Sequence, residues 1–351
     1  MTSLAAGARL APVRAVARSS RASSLRSARV HTRRAAAEDA APVASDADAP
    51  EAPASEAAAS SATPPSPPDA PRVVVIGASG KTGRRCVSHA ASKGLPVVAC
   101  TRSGAFSARD AGVADASAAA LVASERCDVS KASAAELATL LDGAGSCIFA
   151  ASASPSGGSP WEVDKAGLVA VARACLVAKV PRLVIVSSGS VSKPLSSIYA
   201  FLNLFGGIMR AKIEGEDAVR ALYFDREGCD YVVVRPGGLT EDEPRGVAAI
   251  ELNQGDDKSG RIARADVAAI CVEAAERAGT PVAADATFEC YWADTGKSLG
   301  EVGLSNALGG TTDEKVYASG RERRGNTWDE LFEGLDADAP GVSQQGWGPS
   351  L

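Results

Sequence analysis

Val73-Val74-Val75-Ile76-Gly77-Ala78-Ser79-Gly80-Lys81-Thr82-Gly83-Arg84-Arg85-Cys86-Val87 decides the fold. A β-branched apolar run stops at a glycine, passes two more glycines and enters a helical pattern, so the stretch reads as strand, turn and helix. With glycines at 77, 80 and 83, the first permits a tight turn and the second lets backbone approach a pyrophosphate. The third lets the helix pack close to the strand. Phosphates would face the free N–H groups and the positive dipole end of a helix starting near Thr82. Candidate cofactor contacts in this turn are therefore Gly77, Ala78, Ser79, Gly80, Lys81, Thr82, Gly83 and Arg84.

Two rival phosphate loops fit less well. Gly80-Lys81-Thr82 imitates the end of a P-loop, but the glycine that motif needs five residues earlier is Val75. A methyltransferase turn spaces its glycines more tightly and is followed by an acid after the second strand, which this chain lacks.

The first seventy of the 351 residues do not have the composition of a folded domain. Residues 1–34 hold eight arginines, six serines and no acid, the composition of an organelle transit peptide, with no apolar core for secretion. Residues 35–70 carry seven acids and no Lys or Arg among Ala, Pro and Ser, which reads as a disordered linker. Without residues 1–34, 29 basic residues face 42 acidic ones, a balance of −13 that argues against nucleic acid as a partner. No stretch is long and apolar enough to span a bilayer. The eight cysteines form no CxxC pair and read as small buried residues of a reducing compartment. The two histidines, His31 and His89, leave little room for a histidine triad or a histidine zinc site, and no metal ligand set is expected.

From Pro71 strand and helix patterns alternate: strands at 72–76, 96–101, near 121–127, 146–151, 182–187, 230–234 and 287–292, with helices at about 82–93, from Ser133, 161–178 and 264–277. Ser133-Ala134-Ala135-Glu136 and Thr327-Trp328-Asp329-Glu330 are capping boxes. Continuous apolar strands between helices imply an α/β fold, a single doubly wound parallel sheet of roughly seven strands over 71–335, with 336–351 as a tail. Residues 195–224 form the richest apolar patch, read as a buried helix over the sheet that could also line a substrate pocket; the polar, Gly-rich stretches 241–262 and 293–326 read as loops with one hairpin at most.

An NAD-specific turn would place an acid at the end of the second strand. Here Cys100-Thr101-Arg102-Ser103 stands there, and Arg102 can pair with a 2′-phosphate, so NADP(H) is the expected cofactor, with Arg84 in support. Asp128 follows the third strand and is free to meet the adenine, because Ser133 is the better helix cap. Ala150, Ala151 and Ser152 are small residues at the end of the fourth strand, suited to close passage of a ribose.

Gly77-Ala78-Ser79-Gly80-x-Thr82-Gly83, Arg102, Cys127-Asp128-Val129, Val163-Asp164-x-x-Gly167, Val186-Ser187-Ser188 and Arg235-Pro236-Gly237-Gly238-Leu239-Thr240 together resemble the atypical short-chain dehydrogenase/reductases. More narrowly, Asn203-Leu204-Phe205-Gly206-Gly207, Lys212, Glu216-Asp217-Ala218 and Trp328-Asp329-Glu330-Leu331-Phe332 are similar to the plant and algal plastid group of NAD(P)-binding, NmrA-like Rossmann proteins. The resemblance covers about 71–335 and implies an NADP(H)-binding Rossmann fold. Its relatives range from reductases to an NADP-binding component of the chloroplast import apparatus.

Family members pair a serine after strand 5 with Tyr-x-x-x-Lys, where the tyrosine moves the substrate proton and the lysine holds the ribose. By resemblance Ser188 is the catalytic serine and Lys212 the lysine, a cofactor contact as well as a catalytic residue; Lys212 also fits a plain surface cation. The tyrosine position is Ile208, and Tyr199 lies thirteen residues before Lys212. Val129 joins Asp128 at the adenine side, and Pro236, Gly237 and Gly238 would turn the backbone close to the nicotinamide. These features imply an NADPH-dependent reductase of a small or medium apolar carbonyl or alkene. An NADP(H)-binding sensor or scaffold with little turnover, or an isomerase or epimerase with retained cofactor, stays open. The substrate is an unidentified small molecule, and a peripheral membrane or a protein partner stays open too. The resemblance favours the chloroplast stroma; the presequence composition alone also fits the mitochondrial matrix.

Overall fold

The computed structural model describes residues 71–154, 157–300, 318–339 and 342–345. The expected transit peptide and linker, and part of the expected loop at 293–326, lie outside the described residues. The elements that position the site are β1 (Arg72–Ile76), α1 (Gly83–Ser92), β2 (Val97–Thr101), α2 (Ala116–Ala120), β3 (Val122–Arg126), α3 (Ala134–Leu141) and β4 (Ala144–Phe149). A wide π-type segment, Trp161–Gly167, then leads into α4 (Leu168–Val177), β5 (Arg182–Val186), α5 (Ser197–Asn203), α6 (Ile208–Tyr223), β6 (Asp230–Pro236) and β7 (Gly238–Thr240). After these come β8 (Ile250–Asn253), β9 (Lys258–Ser259), β10 (Arg261–Ala263), α7 (Arg264–Glu276), β11 (Ala286–Trp292), β12 (Lys297–Ser298) and α8 (Trp328–Phe332).

The central sheet runs β3-β2-β1-β4-β5-β6-β11-β8. Its neighbours are parallel except β8, which pairs antiparallel with β11. The chain thus reverses its direction of winding between β1 and β4, the crevice where such sheets bind ligands. Both faces are covered. On one side α1, α7 and α8 bury Val73, Val75, Val87, Val267 and Phe332; on the other α3, α4 and α6 bury Val74, Ile76, Leu137, Val171 and Val219. The alternation along β1 follows from the strand period of two, and burial on both faces explains why its sequence is continuously apolar.

The sheet has one strand more than the seven expected. Ile250-Glu251-Leu252-Asn253 looked too polar for a strand, but it forms β8 on the sheet edge, with Ile250 and Leu252 in the core. Glu251 is buried because Lys258 Nζ donates to its Oε1 at 2.6 Å and Arg324 Nε to its Oε2 at 2.6 Å. Burial of a charge is tolerated when it is paired and hydrogen-bonded.

The patch at 195–224 is two helices, not one roof. Gly206 and Gly207 take φ of +70° and +77°, a left-handed turn that glycine allows, between α5 and α6. Leu204 and Phe205 just before it stand exposed, contrary to the expectation of a buried helix. Both capping boxes act as read or nearly so. Ser133 and Glu136 form the complete box, whereas Thr327 accepts from Glu330 N while Glu330 accepts from Asn326 N instead. Leu331 and Phe332 of α8 dock in the core, Phe332 against Phe288. Residues 336–339 of the expected tail are held too: Asp338 Oδ2 accepts from Arg220 Nε at 2.9 Å and from the Tyr231 hydroxyl at 3.0 Å. The described cysteines are unpaired and, apart from the half-buried Cys229, buried.

Candidate functional site

The first glycine turn is shaped by contacts that only hydrogen can fill. Gly77 has φ +84°, and a Cβ there would lie 2.6 Å from Ala151 N; at Gly83 it would lie 2.2 Å from Gly77 O. A Cβ on Gly80 would meet Gly77 O at 3.1 Å, and Gly80 N already donates to that oxygen at 2.9 Å. The turn is therefore tight, open on one side and seated on the start of α1, as an anion-binding helix end requires. Arg84 departs from its expected role. Its guanidinium donates back to Ser79 O at 3.2 Å and its Nε to Gly80 O at 3.4 Å, so it braces the turn from behind rather than reaching for a 2′-phosphate.

Two cavities meet along the turn and share Gly80, Ala150, Ala151 and Ser152. The smaller, of about 220 Å³, is bounded by Gly77 and Ser79 and by Arg102, Asp128 and Val129 at its far end. The larger, of about 510 Å³, is bounded by Lys81 and Thr82, by Ser188 and Lys212, and by Pro236, Gly237 and Gly238. The structure thus brings together every expected site residue except Ala78 and Gly83, which are buried beneath the turn, and Arg84. Asp128 is less free than expected: its Oδ1 accepts from Ser130 N at 3.2 Å and Ser130 Oγ at 2.7 Å. Those bonds hold its carboxyl below the usual carboxylate range.

Ser188 Oγ donates to Gly189 O at 3.1 Å at the end of β5. Lys212 reaches the same cavity from α6 and is no surface cation, since its Nζ stands 2.7 Å from Asp164 Oδ1 and its side chain is largely buried. Asp164, on the π-type segment, is fixed in turn by Ser152 Oγ at 2.7 Å and Ala153 N at 2.8 Å. A π-type turn inserts an extra residue into the helical ladder and often marks a functional position. Here it carries the carboxylate that anchors the lysine. Packing keeps the two helices close: a Cβ on Gly215 would lie 2.7 Å from Asp164 O.

Ile208 lines the larger cavity one helical turn before Lys212, where a phenol would be needed for the usual proton transfer. Tyr199 does not replace it. Its ring packs with Val191, Met209 and Ile213, and it is absent from the cavity wall. The opposite wall is apolar, formed by Ile198, Leu202, Ile208 and Met209.

Three residues that carried no assigned role from sequence complete the site. Asp164 appeared only within a motif, because nothing in one sequence says which lysine it meets. Arg264, at the start of α7, enters the cavity wall and bonds Glu241 at 2.6 Å. Glu216 lies wholly buried behind Ser187, accepting from its hydroxyl, from Arg235 Nη2 at 2.6 Å and from Arg220 Nη2 at 3.0 Å. Burial pushes the Glu216 carboxyl up, but the two guanidinium groups outweigh it and hold it below its ordinary value. Such a network fixes the ends of β5 and β6, which carry the cavity's Ser188 and Pro236.

Comparison with known proteins agrees with this geometry. A family profile described as NAD(P)H-binding matches residues 77–278. An uncharacterized chloroplastic protein of Arabidopsis thaliana is 33% identical over 210 residues, 58% of this chain and 71% of the relative. Among solved structures, the oxidoreductase YlbE of Lactococcus lactis superposes with a TM-score of 0.51 at 20% identity, over 70% of this chain and 100% of that one. A short-chain dehydrogenase/reductase of Veillonella parvula gives a TM-score of 0.50 at 13% identity, over 65% of this chain and 96% of its own. The two solved structures establish likeness of fold.

Proposed function

The chain belongs to the NAD(P)H-binding family, and we propose that it is an NADPH-dependent oxidoreductase acting on a small or medium-sized apolar carbonyl compound or alkene. The observation that carries this is the continuity of the two cavities. A dinucleotide laid along the glycine turn enters the larger cavity facing an apolar wall of Ile198, Leu202 and Met209. The residues fit such a group, because the glycine positions leave backbone room that any side chain would fill. Arg102 lines the far cavity together with Asp128, and the end of β2, where an NAD-specific turn carries its acid, holds Arg102 instead, which supports NADP(H) over NAD(H).

When bound, NADPH supplies the hydride. The chain supplies position and a proton. Ser188 can turn its hydroxyl from Gly189 O to a substrate oxygen. Lys212 Nζ, held by Asp164, can release a proton to that oxygen and regain one from water. The apolar wall gives the apolar part of the substrate a surface to pack against. The chloroplastic relative supports a plastid setting, and the stroma is the compartment we assign.

A second reading, an NADP(H)-binding sensor with little turnover, is favoured by Ile208 alone, because isoleucine cannot move a proton. Calorimetric titration of the full-length protein with NADPH, NADH and NADP, alongside Arg102→Ala, tests the cofactor reading. We expect NADPH to bind more tightly than NADH, and the variant to lose that preference by about tenfold or more, the cost of one charge-assisted hydrogen bond. Equal affinity for both cofactors in the wild type would overturn it. A substrate screen followed by nicotinamide absorbance then separates turnover from sensing.

A further inference from the structure

The segment from Leu195 to Met209 is apolar on two sides. Inward, Ile198, Leu202 and Met209 line the cavity; outward, Leu195 is 91% exposed, Leu204 79% and Phe205 60%. Trp161, 38% exposed, joins this outer face, since its indole lies 3.6 Å from where a Cβ on Gly207 would stand. Among the described residues, seven large hydrophobic side chains are exposed; three of them fall within residues 195–205, and a fourth, Trp161, packs beside Gly207. Exposed apolar residues scattered singly need no explanation; a cluster at the mouth of a cavity does.

We infer that this rim, from α5 to the start of α6 with Trp161, is an anchor that seats the cavity mouth on an anionic lipid surface. Three observations select lipid over a protein groove. The rim ends in a turn between two helices, built on two left-handed glycines, with Leu204 and Phe205 standing exposed beside it instead of lining a groove. Between Ser188 and Glu214 the chain carries Lys193, Arg210 and Lys212 and no acid, in a protein of net charge −5. Lys212 is spent on Asp164 and Glu214 is shared by Lys165 and Arg210; with the exposed Glu162 beside Trp161 counted, Lys193, Lys165 and Arg210 leave the rim one net positive charge. Lys165 and Arg210 also stand 5.5 Å and 5.9 Å from the Trp161 ring centroid, the pairing of cation and amphipathic ring suited to a headgroup layer. Finally, the two helices that present the rim also line the cavity, through Ile198, Leu202, Ile208 and Met209, so a molecule dissolved in the acyl layer would meet apolar side chains on its way in. That last consequence, a lipophilic substrate, rests on the proposed function; the anchor itself does not.

The test is quenching of Trp161 fluorescence by vesicles of phosphatidylcholine and phosphatidylglycerol with brominated acyl chains, with the full-length chain and its Trp161→Phe variant to isolate the signal. Adhesion through the Arg-rich residues 1–34 is common to the wild type and the rim variant below and cancels in their comparison. Quenching is expected to require phosphatidylglycerol and to fall at least severalfold in Leu204→Glu/Phe205→Glu. NADPH affinity in that variant stays at the wild-type value, so failure of the anchor is distinguishable from failure of the cofactor site. No quenching of Trp161, or equal quenching in the double variant, overturns the proposal. So does a wild-type dimer without quenching that the double variant turns into monomer, which would give the rim to a second copy of the chain.

Discussion

Lys212 Nζ and Asp164 Oδ1 meet at 2.7 Å, joining α6 to the π-type segment at the floor of the cavity. The pair is nearly dry, with the Asp164 side chain fully buried and that of Lys212 13% exposed. Removing one member of such a pair leaves the other charge stranded, at a cost of about 3–5 kcal/mol. Lys212→Met is therefore expected to lower the urea midpoint markedly and to abolish turnover. Asp164→Asn keeps the shape and the Ser152 contact but releases the lysine, so it should reduce kcat more than KM. Equal turnover in wild type and both variants would remove Lys212 from the chemistry.

The glycine turn gives the second prediction. Gly83→Ala places its Cβ 2.2 Å from Gly77 O and 2.9 Å from Gly77 C, both backbone atoms that cannot swing aside. Overpacking of this kind costs about 1–3 kcal/mol. Because the strain falls on the loop that faces the phosphates, NADPH affinity should drop by about tenfold or more, which corresponds to 1.4 kcal/mol. Gly94→Ala is the control: no atom lies within 4 Å of its Cβ, although its φ of +80° carries a backbone cost, and NADPH affinity should hold.

Much of this was legible in the sequence because the signals are local. Glycine spacing, the uninterrupted apolar run of β1 and the Ser133 capping box each depend on neighbours within a few residues. What was not legible depends on partners far along the chain. Glu251 reads as a surface residue until Lys258, Glu322 and Arg324 are seen to share its pocket. Arg84 reads as a phosphate ligand until its bonds to Ser79 and Gly80 are known. The same holds for Asp164, whose sequence setting on a helix hides the widened turn that aims it at Lys212.

Ile208 offers a gain-of-function test. It lines the cavity at the first residue of α6, four positions before Lys212. Ile208→Tyr would set a phenol beside the lysine, the arrangement that general acid catalysis uses, for which gains of about 10²–10⁴ are usual. With a substrate that the wild type turns over slowly, we expect kcat to rise by about tenfold, discounting for imperfect placement. A tyrosine variant with unchanged kcat would show that proton delivery at this position does not limit turnover.

The pH dependence of stability follows from Glu289 on β11. Its Oε2 accepts from Asp256 N at 2.9 Å and Asn253 Nδ2 at 3.2 Å, while Oε1 has no hydrogen-bond partner, with Arg235 Nη1 3.7 Å away. Burial, and then the neighbouring Asp256 carboxylate, push Glu289 up to about 8. The folded chain thus holds a proton that the unfolded chain, with its glutamate near 4.3, releases. Its contribution is complete below about pH 4.3 and is lost as pH rises through about 8. Glu289→Gln should therefore flatten the fall of the urea midpoint between pH 5 and 8.5. His89, lowered by burial and by Lys93, acts in the opposite sense over part of that range, but it is common to both proteins and cancels in their difference. Parallel curves for wild type and variant would show that Glu289 stays ionised in the fold, with Arg235 rather than the proton balancing its charge.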